Sequence, residues 1–302
     1  MTRATHTTVF YHAQCADGLS AAWCAKQQLG TEGVGYLPME YGQSVPDVSG
    51  QNVFILDFSF PPITMRILEE QARSVTMLDH HISAKEMLSN YVCCNQHTHI
   101  HFDMNHSGAM LAWNHFFPGH EPPVWLQHVE DRDLWKWEMP NSKAFLRRFD
   151  SLPLTMETLD ALHLHTAWEY EAFVREGAVQ QELFDRMRAS FVEIAQPMEI
   201  DGVQGLIVNT SYMLGSDVGS LLAEKSGTFG AYWYQENDST LKVGLRSKGF
   251  DVKSLAVRFG GGGHLQASAF RLPASRIADL VQHRTLHSTL YALSVESAPS
   301  GN

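Results

Sequence analysis

The sequence contains no run of 18 or more apolar residues, and it contains little cysteine. Four cysteines in 302 residues are too few for the disulfide framework of a small secreted protein. The N-terminus also lacks a charged segment followed by an apolar stretch. We therefore expect neither a membrane span nor a signal peptide, and we predict a cytoplasmic protein.

Basic residues are also in deficit. Lysine and arginine number 22 against 33 aspartates and glutamates, which gives a formal net charge of −11. A protein that holds duplex nucleic acid by its phosphates needs a basic surface, so we expect no duplex partner. A small phosphorylated substrate remains compatible with this charge because a bound cation can supply the positive charge.

The first half of the chain alternates short β-rich runs with helical patterns. The predicted strands are Thr7–Tyr11, Val53–Leu56 and Val75–Leu78, and helical patterns follow at Leu19–Leu29 and Ile63–Ala72. This alternation predicts an α/β fold with a doubly wound, mainly parallel sheet. Each of the three strands runs directly into polar residues, and open α/β sheets bind their ligands at the carboxyl ends of strands.

The second half of the chain has a different character. A charged helical pattern extends from about Leu159 to Gln196 and ends at Pro197. Strand patterns, a helix at Ser216–Lys225 and a run of four glycines follow, and the segment after the glycines has a helix-like pattern. We predict a domain of residues 1–196 that includes a connecting helix at about 159–196. A second, smaller α/β domain would cover residues 197–302.

The polar clusters combine carboxylates with imidazoles, which repel one another or lose hydration unless cations lie among them. A pair of divalent cations would relieve this repulsion and activate a water for attack on phosphorus. Oxygen-rich ligands suit Mn²⁺ or Mg²⁺ better than zinc. The clusters comprise His12, Asp17, Asp57, Asp79, His80, His81, Asp131 and Asp133.

His97, His99 and His101 alternate along an extended segment and so share one side of a strand. They could form a metal clip, but we favour a polar strand face.

Five segments resemble the motifs of the DHH phosphoesterase family. LDHH at Leu78–His81 matches the signature that names the family, and HAQCADGLSAAW at His12–Trp23 is similar to its first motif. Asp57 and EDRDLW at Glu130–Trp135 resemble its second and fourth motifs. GGGGHLQASAF at Gly260–Phe270 is similar to the Gly-Gly-Gly-His motif of the DHH-associated C-terminal domain. The resemblance extends from about Val9 to Phe270.

The resemblance implies a centre of two Mn²⁺ ions, with Mg²⁺ as the alternative. It implies that His12 binds the first ion, that Asp17 binds the second and that Asp57 bridges them. His80 and Asp131 would complete the second site. His81 would reach the scissile phosphate, and Asp79 would orient the histidines.

Two positions depart from the usual pattern or leave a choice open. Cys15 occupies a place where most members of the family have aspartate, so it is either a softer metal ligand or a small packing residue. Asp131 and Asp133 both fit the fourth motif. We favour Asp131, because Asp133 could pair with Arg132 or Lys136.

The C-terminal motif predicts an anion-binding surface. Gly261, Gly262 and Gly263 would let the backbone approach a ligand and present N–H groups to it. His264 and Arg246 would add charged donors, and Ser247 is a weaker candidate for the same surface.

The resemblance extends to members of the nanoRNase or oligoribonuclease type. We therefore expect a metal-dependent phosphodiesterase that hydrolyses very short oligonucleotides, such as dinucleotides, to nucleoside monophosphates. Two alternatives stay open: a phosphatase acting on a bisphosphorylated nucleotide or polyphosphate, and a catalytically weakened nucleotide-binding protein. A homodimer is compatible with each of these three functions.

Overall fold

The computed structural model of the protein describes residues 6–288. The chain divides into two compact units, unit 1 (Met1–Gln181) and unit 2 (Glu182–Asn302). This division falls inside a long helix, Ala167–Ile194, whereas the sequence patterns placed the boundary just after it, at residue 197.

Unit 1 is built on a five-stranded sheet in which every neighbouring pair of strands is parallel. The strand order is β2-β1-β3-β4-β5, so the order reverses between β1 and β3. The predicted doubly wound parallel sheet is therefore confirmed, and a reversal of this kind opens a crevice at the carboxyl ends of the two strands. The strands are β1 (Thr7–His12), β2 (Val34–Met39), β3 (Asn52–Leu56), β4 (Ser74–Asp79) and β5 (Thr98–Phe102).

Helices cover both faces of this sheet. One buried core contains Val9, Leu56 and Trp23, and the other contains Phe10 and Ile55, so neighbouring residues of a strand face opposite cores. The helices are α1 (Ala16–Leu29), α2 (Pro62–Gln71), α3 (Ile82–Met87), α4 (Gly108–Phe116), α5 (Val124–Asp133), α6 (Ser142–Phe149), α7 (Met156–His163) and α8 (Ala167–Ile194). The charged segment predicted as one connecting helix is thus divided between α7 and α8.

Unit 2 contains a mixed sheet of seven strands in the order β10-β11-β9-β8-β7-β6-β12. Its strands are β6 (Gln196–Ile200), β7 (Val203–Asn209), β8 (Phe229–Asn237), β9 (Thr240–Ser247), β10 (Gly262–His264), β11 (Ala267–Pro273) and β12 (Thr285–Leu286). Its helices are α9 (Tyr212–Ser226) and α10 (Val252–Val257), with short 3₁₀ and π turns at Ala274–Arg276 and Asp279–His283. The predicted second α/β domain is confirmed.

The helix-like reading of the segment after the glycines is wrong, because this segment forms strand β11. Ser268, Phe270 and Leu272 are buried, and the residues between them are more exposed. Alternation with a period of two belongs to a strand that packs one face on a core.

Among residues 6–288, no helix is both long enough and apolar enough to cross a lipid bilayer.

Gly177 allows α8 to pack closely against α6, because a Cβ at this position would lie 1.9 Å from the carbonyl oxygen of Ala144. Helix propensity alone would make Gly177→Ala stabilising by about 1 kcal/mol. We expect instead a loss of about 1–3 kcal/mol in the free energy of unfolding, because the helices must separate. Denaturant unfolding followed by tryptophan fluorescence measures the change.

Val179→Ala on the same helix is the control, since Val179 is 71% exposed and should change stability by less than about 0.5 kcal/mol. A stabilising Gly177→Ala would contradict this account of the packing.

Candidate metal centre

Three neighbouring strands of unit 1 deliver polar side chains to the same edge of the sheet. His12 is the last residue of β1, Asp57 directly follows β3, and Asp79 is the last residue of β4. Tyr11 pairs with Leu56, which pairs in turn with Leu78, so the residues that follow lie side by side. The centre therefore forms at the reversal between β1 and β3, where such sheets bind ligands.

Asp57 lies at the middle of this group, and its side chain is only 1% exposed. Its Oδ1 is 3.1 Å from Nε2 of His80, and its Oδ2 is 3.6 Å from Nδ1 of His12 and 3.6 Å from Sγ of Cys15. Burial raises the pKa of Asp57, but the neighbouring imidazoles of His12 and His80 hold it at about 2. Asp57 is therefore a buried carboxylate that stays ionised.

The backbone around Asp57 is unusual. Its φ of 54° lies in the left-handed region, which non-glycine residues seldom adopt. A Cβ at Gly108 would lie 2.3 Å from the Cβ of Asp57, so only glycine lets the start of α4 approach this closely. Backbone strain of this kind is concentrated at functional sites.

The N-terminus of α4 binds the carboxylate of Asp17. The backbone N–H of Gly108 donates to Oδ2 at 2.6 Å, and that of Ala109 donates to Oδ1 at 3.0 Å. Free N–H groups and the helix dipole favour an anion at this position. The hydroxyl of Ser107 caps the same helix by accepting from Met110 N. Burial and the neighbouring Asp57 and Asp133 nevertheless raise the pKa of Asp17 well above its usual value.

His80 lies among three carboxylates. Its Nε2 is 3.6 Å from Asp17 and 3.5 Å from Asp133, in addition to the contact with Asp57. Burial lowers the pKa of His80, but the hydrogen bond to Asp57 and the charges of Asp17 and Asp133 raise it to about 9. Without another cation, the imidazolium of His80 compensates much of this negative charge.

The potential ligands separate into two groups, each of which could hold a metal ion: His12, Asp57 and His81, and Asp17, His80 and Asp133. Within each group the candidate ligand atoms lie within 4.8 Å of one another. Nδ1 of His12 is buried and has no hydrogen-bond partner, which suits a nitrogen that receives a cation.

Among residues 6–288, neither metal group contains the alternating histidines of the HTHIH segment. His99 and His101 are on the exposed face of the edge strand β5, which agrees with the polar strand face that we favoured.

Asp79 holds both histidines that follow it. Its Oδ1 accepts from the backbone N–H of His80 at 2.7 Å and of His81 at 3.2 Å, and lies 2.7 Å from Nδ1 of His81. Ser59, which sequence reasoning did not identify, donates its hydroxyl to the other oxygen of Asp79. Asp79 is completely buried, so it has the environment of a residue that orients imidazoles.

The structure brings Asp133 to the centre rather than Asp131. The carboxylate of Asp131 accepts the backbone N–H of Glu138 at 2.8 Å and of Met139 at 3.4 Å, and so holds the turn after α5. Residues two apart on a helix point in nearly opposite directions, so only one of the two can face the site. The sequence spacing alone did not show which one.

Cys15 precedes α1 and lies against the same carboxylates. Burial, together with the charges of Asp57 and Asp17, raises the pKa of its thiol far above the usual value. Cys15 also lines a cavity of about 520 Å³ with Tyr11, Gln14 and Glu40. The thiol is therefore close to the centre and next to open space.

In unit 2, Arg246 and Ser247 are both engaged by neighbours. Arg246 donates to Ser216 Oγ at 3.0 Å and to the backbone carbonyl of Leu245 at 2.8 Å. Its guanidinium lies 5.5 Å from the ring centre of Tyr232. Ser247 is buried, and its hydroxyl donates to the carbonyl of Phe250. Both side chains thus have a clear structural role.

The glycine run leads into strand β10, which pairs with β11 in a hairpin, and two of its glycines are required by packing. A Cβ at Gly261 would lie 2.2 Å from the carbonyl oxygen of Ala269, and one at Gly263 would lie 2.5 Å from that of Ala267. Gly262 has open space around it, and His264 is exposed. Gly260–Gly262 also line a cavity of about 290 Å³ with Lys242 and Arg271, two cations that sequence reasoning did not single out.

Comparisons with known proteins agree with this architecture. Residues 209–285 match the model of the DHHA1 domain. An uncharacterized protein of Acanthamoeba polyphaga mimivirus is 24% identical over 292 residues, which cover 86% of this chain and 66% of the relative, slightly less than two thirds of its length.

Two solved structures are similar over most of this chain. The pGpG-specific phosphodiesterase PggH from Vibrio cholerae is 14% identical with a TM-score of 0.51, covering 97% of this chain and 100% of that chain. RecJ from Thermus thermophilus in complex with Mn²⁺ is 15% identical with a TM-score of 0.49, covering 95% of this chain and 52% of that chain.

A parallel α/β unit with clustered carboxylates and imidazoles is followed by a unit that contains the DHHA1 match. This combination fits a DHH phosphoesterase, in agreement with the resemblance noted from the motifs.

The free energy of unfolding of the protein, kept free of metal by a chelator, should fall as pH rises. The pKa of His80 in the folded protein, about 9, exceeds that of an unfolded histidine, about 6.5. Protonation of His80 therefore makes its full contribution to the free energy of unfolding below about pH 6.5. This contribution is lost as pH rises through about 9. The raised pKa values of Asp17 and Asp133 act in the same direction at lower pH. We expect a loss of up to about 3 kcal/mol in the free energy of unfolding between pH 6.5 and pH 9.

Denaturant unfolding in excess chelator at several pH values measures this change. His80→Gln is the control, because it removes the titrating group and should flatten the profile. A profile as steep in His80→Gln as in the natural protein would assign the effect to other groups.

Proposed function

We propose that this protein is a divalent-metal-dependent phosphodiesterase that acts on very short oligonucleotides and releases nucleoside monophosphates. The observation that carries the proposal is the convergence of Asp17, Asp57 and Asp133 with His12 and His80 at the carboxyl edge of the parallel sheet. The similarity to the pGpG-specific phosphodiesterase from Vibrio cholerae supports a phosphodiester between nucleotides as the bond attacked.

The residues present fit a pair of cations. Three carboxylates lie within reach of one imidazole, and burial together with the charges of Asp57 and Asp133 raises the pKa of Asp17, so a cation among them would favour its ionised form. We assign His12 and Asp57 to one ion, with His81 beside them, and Asp17, His80 and Asp133 to the other. Asp57 lies near His12 and His80, so its two oxygens are placed to bind both ions. Such ions, Mn²⁺ or Mg²⁺, would supply positive charge to a phosphoryl group and activate a water for attack on phosphorus.

His81 is the residue that we assign to the scissile phosphate. Asp79 engages Nδ1 of His81 at 2.7 Å, which leaves Nε2 for the substrate. Burial lowers the pKa of His81, but Asp79 and Asp57 raise it overall, which favours the protonated ring. A protonated His81 can donate to a phosphate oxygen or to the leaving oxygen.

The glycine segment of unit 2 is the element of that unit that we assign to binding an anionic group. Gly262 leaves room for a ligand to approach the backbone, and the exposed His264 adds a donor. Lys242 and Arg271 line the cavity beside the same glycines, where both lie within ion-pair distance of Glu236.

The proposal predicts Mn²⁺-stimulated release of monophosphates from labelled dinucleotides. Asp57→Asn should lower this activity at least about 100-fold, since the substitution removes the central negative charge. Asp47→Asn, at an exposed loop position, is the control and should leave the activity unchanged. The measurement is a time course on di- to heptanucleotides, beside bisphosphorylated nucleotides and polyphosphate.

Two outcomes would contradict the proposal. Faster turnover of bisphosphorylated nucleotides or polyphosphate would identify a phosphatase. Tight dinucleotide binding without turnover, in the natural protein and in Asp57→Asn alike, would identify a nucleotide-binding protein.

Asp133 and Asp131 should differ in their effect on metal binding. Asp133→Asn removes a carboxylate that lies 3.5 Å from Nε2 of His80, so we expect Mn²⁺ affinity to fall at least about tenfold. Asp131→Asn weakens the turn that follows α5 and should lower stability while changing Mn²⁺ affinity less than about threefold. Titration calorimetry and thermal unfolding measure the two effects. The reverse pattern would restore Asp131, the residue favoured from the sequence, as the ligand.

A further inference from the structure

The ligand groups of the centre differ in chemical character. The group around His80 offers two carboxylates besides the shared Asp57, so it is rich in oxygen. The group around His12 offers imidazole nitrogen and only the shared carboxylate. Oxygen ligands prefer hard ions such as Mg²⁺ and Mn²⁺, whereas nitrogen and sulfur ligands prefer Zn²⁺, Co²⁺ or Fe²⁺.

The thiol of Cys15 and the imidazole of His12 lie near the same oxygen of Asp57. Sγ of Cys15 is 3.6 Å from Oδ2 of Asp57, and the same oxygen is 3.6 Å from Nδ1 of His12. The buried Nδ1 of His12 has no other partner. The sulfur of Cys15 and a nitrogen of His12 thus lie at the same distance from one oxygen of a buried carboxylate.

The place of Cys15 in the fold also argues for a role at the centre. It is the N-cap residue of α1, but its side chain makes no capping hydrogen bond. It lines the cavity of about 520 Å³ beside the centre, so its sulfur is not simply enclosed in a core. Cys24, by contrast, is fully buried and lies against the carbonyl of Ala109.

We propose that Cys15 is a ligand of the His12 site and makes that site selective for a borderline-soft divalent ion. The other site would keep its preference for a hard ion, so the centre would hold two different metals. On binding, the thiol would release its proton to solvent and its sulfur would form a bond to the ion. This inference rests on the proposed metal centre and adds the identity of one ion.

Titration of the metal-free protein with Co²⁺ tests the inference without an activity assay. A thiolate ligand produces an intense sulfur-to-Co²⁺ charge-transfer absorption in the near ultraviolet, whereas oxygen and nitrogen ligands leave only the weaker visible bands. We expect the intense band in the natural protein and its loss in Cys15→Ser, with visible bands retained. Co²⁺ affinity should fall at least about tenfold in Cys15→Ser.

Cys15→Asp provides the converse test. A carboxylate in place of the thiol should remove the charge-transfer band and raise the affinity for Mn²⁺ relative to Zn²⁺ at least about tenfold. Cys94→Ser is the control, because Cys94 is exposed and lies apart from both ligand groups. This variant should keep the band.

The outcomes separate the two proposals. Visible Co²⁺ bands without the charge-transfer band would refute the role of Cys15 and leave the metal centre intact. A band of full intensity in Cys15→Ser would assign the thiolate to another cysteine and also refute the inference. Absence of any Co²⁺ or Mn²⁺ binding would refute the metal centre itself.

Discussion

The ionised carboxylate of Asp57, buried at the reversal of the parallel sheet, is the interaction on which the rest of the candidate site depends. It contacts His80 at 3.1 Å and lies 3.6 Å from both His12 and Cys15, so it links the two ligand groups. A buried charge is costly unless it is compensated. The surrounding imidazoles provide part of that compensation, and the raised pKa values of Asp17 and Asp133 indicate that more positive charge would be favourable.

The scaffold brings these charges together through close backbone packing. Gly108 lets α4 approach Asp57, and Gly18 lets α1 approach His12, since a Cβ at Gly18 would lie 2.4 Å from the carbonyl oxygen of His12. The N-terminus of α4 then donates two N–H groups to Asp17. Helix position, ligand orientation and charge stabilisation are thus coupled at this centre.

The two units differ in how their candidate functional residues are held. Unit 1 contains the ligand groups, whose arrangement follows from sheet topology. Residues 209–285 of unit 2 match the DHHA1 domain, but Arg246 and Ser247 within it are held by internal contacts. Gly262 and His264 are the better candidates there, because Gly262 is open and His264 is exposed, whereas Arg271 and Lys242 lie within ion-pair distance of Glu236.

By itself the sequence determined the parallel sheet, the polar ends of its strands and the resemblance of its motifs, because strand periodicity and motif spacing are local properties of the chain. It also indicated Asp57 and the Asp79-His80-His81 motif as parts of one centre. Only the tertiary structure decided that Asp133 rather than Asp131 faces His80, that Ser59 supports Asp79, and that the thiol of Cys15 lies against Asp57. These outcomes depend on how a helix is rotated and on which residues distant in sequence pack together, and neither is encoded in local spacing.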